Sequence, residues 1–213
     1  MTFGLVKHNN NSISAITTPG NLAQGKLTLI KEQTASSSSS VEFVDGSGGV
    51  VLDNTYPIYK FVWINAHPST QEDAGNEFQF NFSADTGSNY NVSKTSTYFV
   101  TTHAENDSSS SLVYSTSHDH ANTTGFQNIS VDMDADNDSS TSGELFIFSP
   151  SSTTFVKHFI AQSNYTHSSP LSINSFVGGY CNTTSAVDAV KFQFSGSATI
   201  QSGTIKLYGI KGS

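Results

Sequence analysis

Residues 77 to 82 read EFQFNF, and an extended chain places Phe78, Phe80 and Phe82 on one side, a pattern no helix reproduces. The same texture recurs in KLTLIK (26 to 31), VEFV (41 to 44), PIYKFVWINAH (57 to 67), STYFVTTHAE (96 to 105), SLVYST (111 to 116), FQNISVDM (126 to 133), ELFIFS (144 to 149), TFVKHFIAQSNY (154 to 165), INSFVGGY (173 to 180), DAVKFQFSGSATI (188 to 200) and GTIKLYGI (203 to 210). Clusters of Gly, Asn, Asp and Ser separate these runs, as turns require. No stretch of about eleven residues holds a capped helical period; Thr184 to Val190 offers a helical turn at most. Many short strands in 213 residues predict one all-β domain, an antiparallel β-sandwich of jelly-roll type, with a barrel as the other closed solution. No fixed repeat of the propeller or solenoid kind, no heptads and no collagen triplets are found.

Residues 1 to 25 lack a sustained period and contain Pro19-Gly20, so they read as an irregular N-terminal arm, for attachment or strand exchange, ahead of a β-sandwich domain over 26 to 213. Serines 36 to 40 read as a short link. Two strands carry apolar residues on both faces. In IYKFVWINA, Tyr59, Phe61 and Trp63 oppose Ile58, Val62 and Ile64; further on, Phe155 and Phe159 oppose Val156 and Ile160. A sandwich strand usually has one wet face, so the second apolar face predicts a cover, either a subunit interface or a wrapping arm. Tyr59, Phe61, Trp63, Phe155 and Phe159 are the expected interface residues, and a homo-oligomer, a trimer, is the expected assembly.

Charge narrows the partners. All 9 bases are lysines against 17 acids, giving a net charge of -8. Phosphate grip and bidentate base reading favour arginine, so no nucleic-acid partner is expected, and the negative sign disfavours anionic membranes. No apolar run spans a bilayer, and MTFGLVKHNNNS lacks the apolar stretch of a signal peptide. A single cysteine, Cys181, excludes an internal disulfide, suits a reducing compartment and reads as a buried apolar side chain.

Four aspartates at a spacing of two, Asp132, Asp134, Asp136 and Asp138, stand in VDMDADNDSSTSGE. A helix-loop-helix calcium loop would start at Asp132, but its sixth position is Asn137 rather than Gly, and Glu144 arrives one residue late. On a strand the carboxylates would oppose Val131, Met133 and Ala135, as on a half-buried edge that repels strand pairing. Asp132, Asp134 and Asp136 are therefore the candidate ligands of a weak Ca2+ site, and no other cofactor is expected. His118-Asp119-His120 could ligate zinc or iron if extended, but SHDHANTTG is turn-rich and reads as a surface loop. Neither G-x-S-x-G, S-x-x-K, H-E-x-x-H nor a phosphate-binding glycine loop occurs, and Glu72-Asp73 lies in a polar turn, so the chain is not expected to be an enzyme. Tyr56, Tyr90, Tyr165 and Tyr180, at strand ends or in Asn/Ser loops, are candidates for stacking on a sugar ring or a partner protein.

The strings FGLVKHNNNSISAITTPG, YPIYKFVWINAHPS, GSNYNVSKTST, FSPSSTTFVKHF, NTTSAVDAVKFQFS and SGTIKLYGIK resemble a family of small β-rich virion structural proteins of marine tailed bacteriophages, cyanophages and their relatives, over nearly the whole chain from Phe3 to Lys211. The resemblance implies a β-sandwich of jelly-roll type located in the virion, made in the bacterial host cytoplasm and partnered by itself and by other phage virion proteins. The absence of a repetitive shaft favours a capsid decoration, cement or head-knob protein. A tail-fibre or tail-tip module that contacts host surface glycans is the alternative.

Overall fold

The computed structural model describes residues 27 to 70 and 76 to 211. The expected N-terminal arm (1 to 25) and the Glu72-Asp73 pair lie outside the described residues. Among the described residues there are thirteen strands and no helix: β1 (Leu27–Ser38), β2 (Val41–Val44), β3 (Ile58–Pro68), β4 (Asn76–Ser83), β5 (Lys94–Ala104), β6 (Ser110–Tyr114), β7 (His120–Thr123), β8 (Gln127–Met133), β9 (Thr141–Phe148), β10 (Lys157–Thr166), β11 (Leu171–Cys181), β12 (Ala189–Phe194) and β13 (Ile200–Ile210).

The chain is all-β, and its antiparallel sheets pack as a sandwich. A large sheet runs in the order β1-β13-β3-β9-β10-β11-β5-β6, with β7 pairing β5 beside β6; a small one runs β2-β12-β4-β8. Successive strands cross between layers, β1 to β2 to β3 to β4, and again around β8 and β12, so the small sheet is built from non-local pairs, whereas the large one also holds the consecutive pairs β5-β6, β9-β10 and β10-β11.

Period-two patterning decides which side of each strand is inside. In β10 (KHFIAQSNYT) every second residue from Lys157 to Tyr165 is buried, and the residues between are exposed. In β4, Phe78, Phe80 and Phe82 are fully buried. They meet Phe43 of β2, Phe61 and Trp63 of β3, and Phe192 of β12. Phe192 is the hub, with its ring centroid 5.5 Å from Phe61, 6.2 Å from Trp63 and 6.0 Å from Phe78. Such edge-on and offset ring pairs add about 0.5–1.5 kcal/mol each beyond area burial.

Two expectations about local structure change. Ser36 to Ser38 continue β1 rather than linking strands, because Ser36 and Ser38 pair with Ser202 and Ile200 of β13. Residues 184 to 188 form no helical turn.

The edge of the small sheet is fastened by hydroxyls. The β8 carbonyl of Ile129 accepts hydrogen bonds from Ser175 Oγ and, at 3.5 Å, Tyr98 Oη of the large sheet. Ser130, Thr141 and Ser163 close a buried triangle of 2.7–2.9 Å contacts, and Trp63 Nε1 donates to Thr141 Oγ1 at 3.3 Å. Buried polar groups left unbonded would each cost about 1–3 kcal/mol, so the cluster fixes the stacking of the layers.

Candidate functional site on the outer face of the large sheet

The expected interface residues divide. Tyr59, Phe61, Trp63 and Phe159 are 0–1% exposed within the single chain. Their side of β3 and β10 faces the small sheet, so they form the core and are not available to a partner. The correction follows from the ring cluster: Phe43, Phe78, Phe80, Phe82 and Phe192 take up the large aromatic face. Phe155 differs, standing 73% exposed in the loop before β10. The second apolar face on these strands is real, but it is carried by the alternating residues Ile58, Val62, Ile64 and Ile160.

Registers extend that face across the sheet in rows. At one end Leu27, Ile210, Ile58 and Phe148 are successive cross-strand partners, with His158 and Tyr180 continuing the line on β10 and β11. The next row is Leu29, Tyr208, Lys60, Phe146, Ile160 and Gly178. Behind it stand Glu32, Lys206, Val62, Glu144, Gln162, Phe176, Phe99 and Tyr114. A further row is polar over β9 to β5, where Asn164, Asn174 and Thr101 follow one another. The face thus grades from aliphatic and aromatic at the Leu27 end to amide and hydroxyl at the other.

Ion pairs line the boundary between the halves. Lys60 lies 2.6 Å from Glu144 and Lys206 lies 3.0 Å from Glu32. Lys60 Nζ also sits 5.0 Å over the Phe146 ring, which keeps that charge from interrupting the apolar surface. On the polar side a shallow trough of about 470 Å³ is lined by Val62, Ile64, Ser142, Glu144, Gln162, Asn164 and Asn174 over the backbone of Trp63 and Gly143. Beside it Phe176 and Phe99 stack with centroids 4.9 Å apart. At the far edge β6 is exposed along its whole length, and its Leu112 and Tyr114 are 69% and 50% exposed.

Other candidate residues fall elsewhere. The strand carrying the aspartate run ends at Met133, so Asp132, Asp134 and Asp136 do not share a strand face. Asp132 takes a positive φ of 50° and lies 4.0 Å from His167. Asp134 turns back to accept from the Asp136 N–H at 3.2 Å and the Ser139 hydroxyl at 3.1 Å. Among the described residues no three His, Cys, Asp or Glu side chains group so as to hold a metal ion. His118 and His120 do not converge either. His118 Nδ1 contacts Asn128 Nδ2 at 2.9 Å, and its ring packs 5.3 Å from Tyr98. His120 Nε2 contacts the Phe126 carbonyl at 3.0 Å, and burial lowers its pKa.

Of the four tyrosines, Tyr165 is in the core, Tyr56 packs over Gly209, and Tyr90 donates to Glu42 at 3.0 Å beneath the Lys191 amine. Only Tyr180 stands on the outer face, 37% exposed.

Cys181 is fully buried, and burial pushes its thiol up to about 12. Its cross-strand partners are Lys157 and Lys94, also fully buried. Lys157 Nζ donates to the carbonyls of Phe155 and Thr183, and Lys94 Nζ donates to that of Gly125. Burial lowers both amines, Lys94 to about 8. This row was not anticipated from sequence; the spacing-two position of Lys157 before Phe159 and Ala161 was the available sign that it points inward.

No family model, no curated protein and no solved structure matches the chain.

Proposed function

We propose that the chain is a non-enzymatic structural protein of a tailed-phage virion, of the capsid decoration, cement or head-knob kind, that assembles as a homo-oligomer, a trimer. The observation that carries this reading is the wide outer face of the large sheet, rich in apolar side chains and ending in the exposed edge strand β6. Exposed apolar faces and bare strand edges are what association covers. In the trimer the contact between copies runs through the β5–β6 side, where Phe99, Leu112 and Tyr114 stand. The two-sheet core is read as a jelly roll: β1-β13-β3-β9 opposite β2-β12-β4-β8 supports that order, with β5 to β7 and β10-β11 as additions that widen one sheet. Double-sheet jelly rolls serve in viral capsid and lectin domains. Cryo-electron microscopy of particles of the phage that encodes the chain is the test; a map and a particle proteome without it would refute the assignment. Light scattering on the purified chain at micromolar concentration should give three times 22.7 kDa. Leu112→Asp should return it to the monomer mass.

The amide-lined trough favours one second reading, a tail-tip module that holds a host surface glycan. Gln162, Asn164, Asn174 and Glu144 supply donors and acceptors suited to sugar hydroxyls, and the Phe176–Phe99 pair lies one strand away for ring stacking. Binding on a glycan array that is lost in Asn164→Ala/Asn174→Ala would support this reading, and an array at background with the oligomer would remove it.

A further inference from the structure

We infer that the apolar half of the outer face is the seat of the chain's own N-terminal segment, residues 1 to 26, which lies back across β1, β13, β3, β9 and β10. The inference concerns the chain alone and stands whether or not the virion assignment does.

The first ground is the surface. Leu27 and Leu29 are each 50% exposed and Ile160 55%, with Tyr180 at 37% in the end row and Phe155 at 73% in the loop beside it. Taking about 200 Å² for each of these five side chains, roughly 500 Å² of side-chain area stands open at the two ends of this face, which the half-buried Ile210, Tyr208, Ile58, Phe148 and Phe146 join.

The second ground is where the preceding chain enters. β1 begins at Leu27, which belongs to the end row of the patch and sits on the outermost strand of the sheet. Five strands from β1 to β10 span four spacings of about 4.8 Å, on the order of 20 Å. Twenty-six residues reach up to about 85 Å when extended, so the segment is long enough to turn back and traverse the patch. Tethering at the patch gives it an effective concentration in the millimolar range, above that of any free copy at micromolar concentration.

The third ground is composition and charge. The segment holds Phe3, Leu5, Val6, Ile13 and Ile16, and it contains Lys7 and Lys26 but no Asp or Glu. Its +2 leaves -10 for residues 27 to 213 out of the total of -8. Segment and body therefore attract rather than repel.

Cross-linking of the full-length chain tests the placement. In a Cys181→Ser background, Ile13→Cys with Ile160→Cys should oxidise to an internally bridged monomer whose yield does not depend on protein concentration. Ile13→Cys with Gln193→Cys, on the outer side of the small sheet, should bridge at least tenfold less. Disulfide-linked dimers in place of bridged monomers would assign the patch to a neighbouring copy, and equal yields from the two pairs would deny any seat; either overturns the inference. Dye binding gives an independent readout in full-length Phe3→Asp/Ile13→Asp/Ile16→Asp. Displacing the segment should raise the fluorescence of a hydrophobic dye several-fold, with circular dichroism unchanged. Unchanged dye fluorescence would also overturn it.

Discussion

Replacing Lys94 by Met isolates the electrostatics of the buried Lys157–Cys181–Lys94 row. Lys94 is fully buried, its amine bonded to the Gly125 carbonyl, and it takes part in none of the ion pairs among the described residues. Burial lowers its pKa from 10.5 to about 8, against a smaller opposing influence of Cys181. That gap corresponds to roughly 3 kcal/mol of destabilisation while the amine is charged, at about 1.36 kcal/mol per pH unit. The folded state binds fewer protons than the unfolded chain between about pH 8 and 10.5, so stability rises with pH through that window. Integrated from pH 7 to pH 9, the gain is roughly 1.3 kcal/mol. Cys181 acts in the opposite sense. Its thiol is raised by burial from 9.0 to about 12, so its contribution is lost as pH climbs above 9. A Cys181→Ser background removes that opposing slope.

Urea denaturation at intervals from pH 7 to pH 9 reads the effect directly. The stability of the Lys94→Met chain should climb by about 1.3 kcal/mol less than that of its parent over the interval. At pH 7 the substitution itself should be near neutral, because removing the buried charge gains roughly 3 kcal/mol while the Gly125 carbonyl loses its donor at a cost of about 1–3 kcal/mol. Parallel pH profiles for parent and variant would refute the reasoning, since they would mean the amine titrates alike in the folded and unfolded states.

Other substitutions probe the packing and the loops. Phe192→Ala removes the hub of the ring cluster and should cost about 3–5 kcal/mol in chemical denaturation. Gly143→Ala puts a Cβ against the Gln162 carbonyl oxygen and the Trp63 ring, so it should destabilise by about 1–3 kcal/mol, a large effect for one methyl group. Asp134→Asn with Asp136→Asn should change stability by no more than about 0.5 kcal/mol, because an amide oxygen still accepts from the Asp136 N–H and Ser139; a larger, calcium-reversible loss would show a metal site there. At alkaline pH, burial raises Tyr98 to about 12 and also raises Tyr59, Tyr90 and Tyr165. The unfolded chain ionises first, so stability should fall as pH rises above 10, and tyrosinate absorbance should lag and then appear cooperatively with unfolding.

The strands that pack one face inward were legible from sequence. EFQFNF and KHFIAQSNYT display their alternation; β10 follows it residue by residue, and β4 follows it as far as Phe80, beyond which Asn81 and Ser83 are buried as well. Which side faces in was not legible where both sides are apolar. In β3 the choice of Tyr59, Phe61 and Trp63 over Ile58, Val62 and Ile64 depends on the rings that β2, β4 and β12 bring from distant positions, and no local period encodes that. β7, His120 to Thr123, has no apolar signal and is a strand only because β5 offers it pairing partners. The aspartate spacing suggested one shared face, but that inference requires the strand to continue. It stops at Met133, after Asp132 with its positive φ, and the carboxylates disperse into a turn that Asp134 itself stabilises.

The unequal sheets make the outer face, rather than the interior, the surface open to a partner. Nine strands facing four leave the inner surface of the large sheet broader than its cover, and at one end the side chains that fill it are Lys94 and Lys157, whose amines bond the carbonyls of the loops passing over them. Inside, large side chains and bonded hydroxyls take up the space between the layers, and the troughs on the described surface are shallow and open. Widening the large sheet by β10, β11, β5 and β6 adds Phe159, Tyr165 and Tyr98 to an aromatic core centred on β3, β4 and β12. It also extends the external face, carrying it from Leu27 at one edge to Tyr114 at the other. A fold selected only for stability gains little by exposing Leu27 at one edge and Ile160, Phe99 and Leu112 on that extension, where each partly open apolar side chain forgoes about 1 kcal/mol of further burial. Their exposure is accounted for if the surface is completed by further protein, from the chain's own first residues at one end and from neighbouring copies at the other.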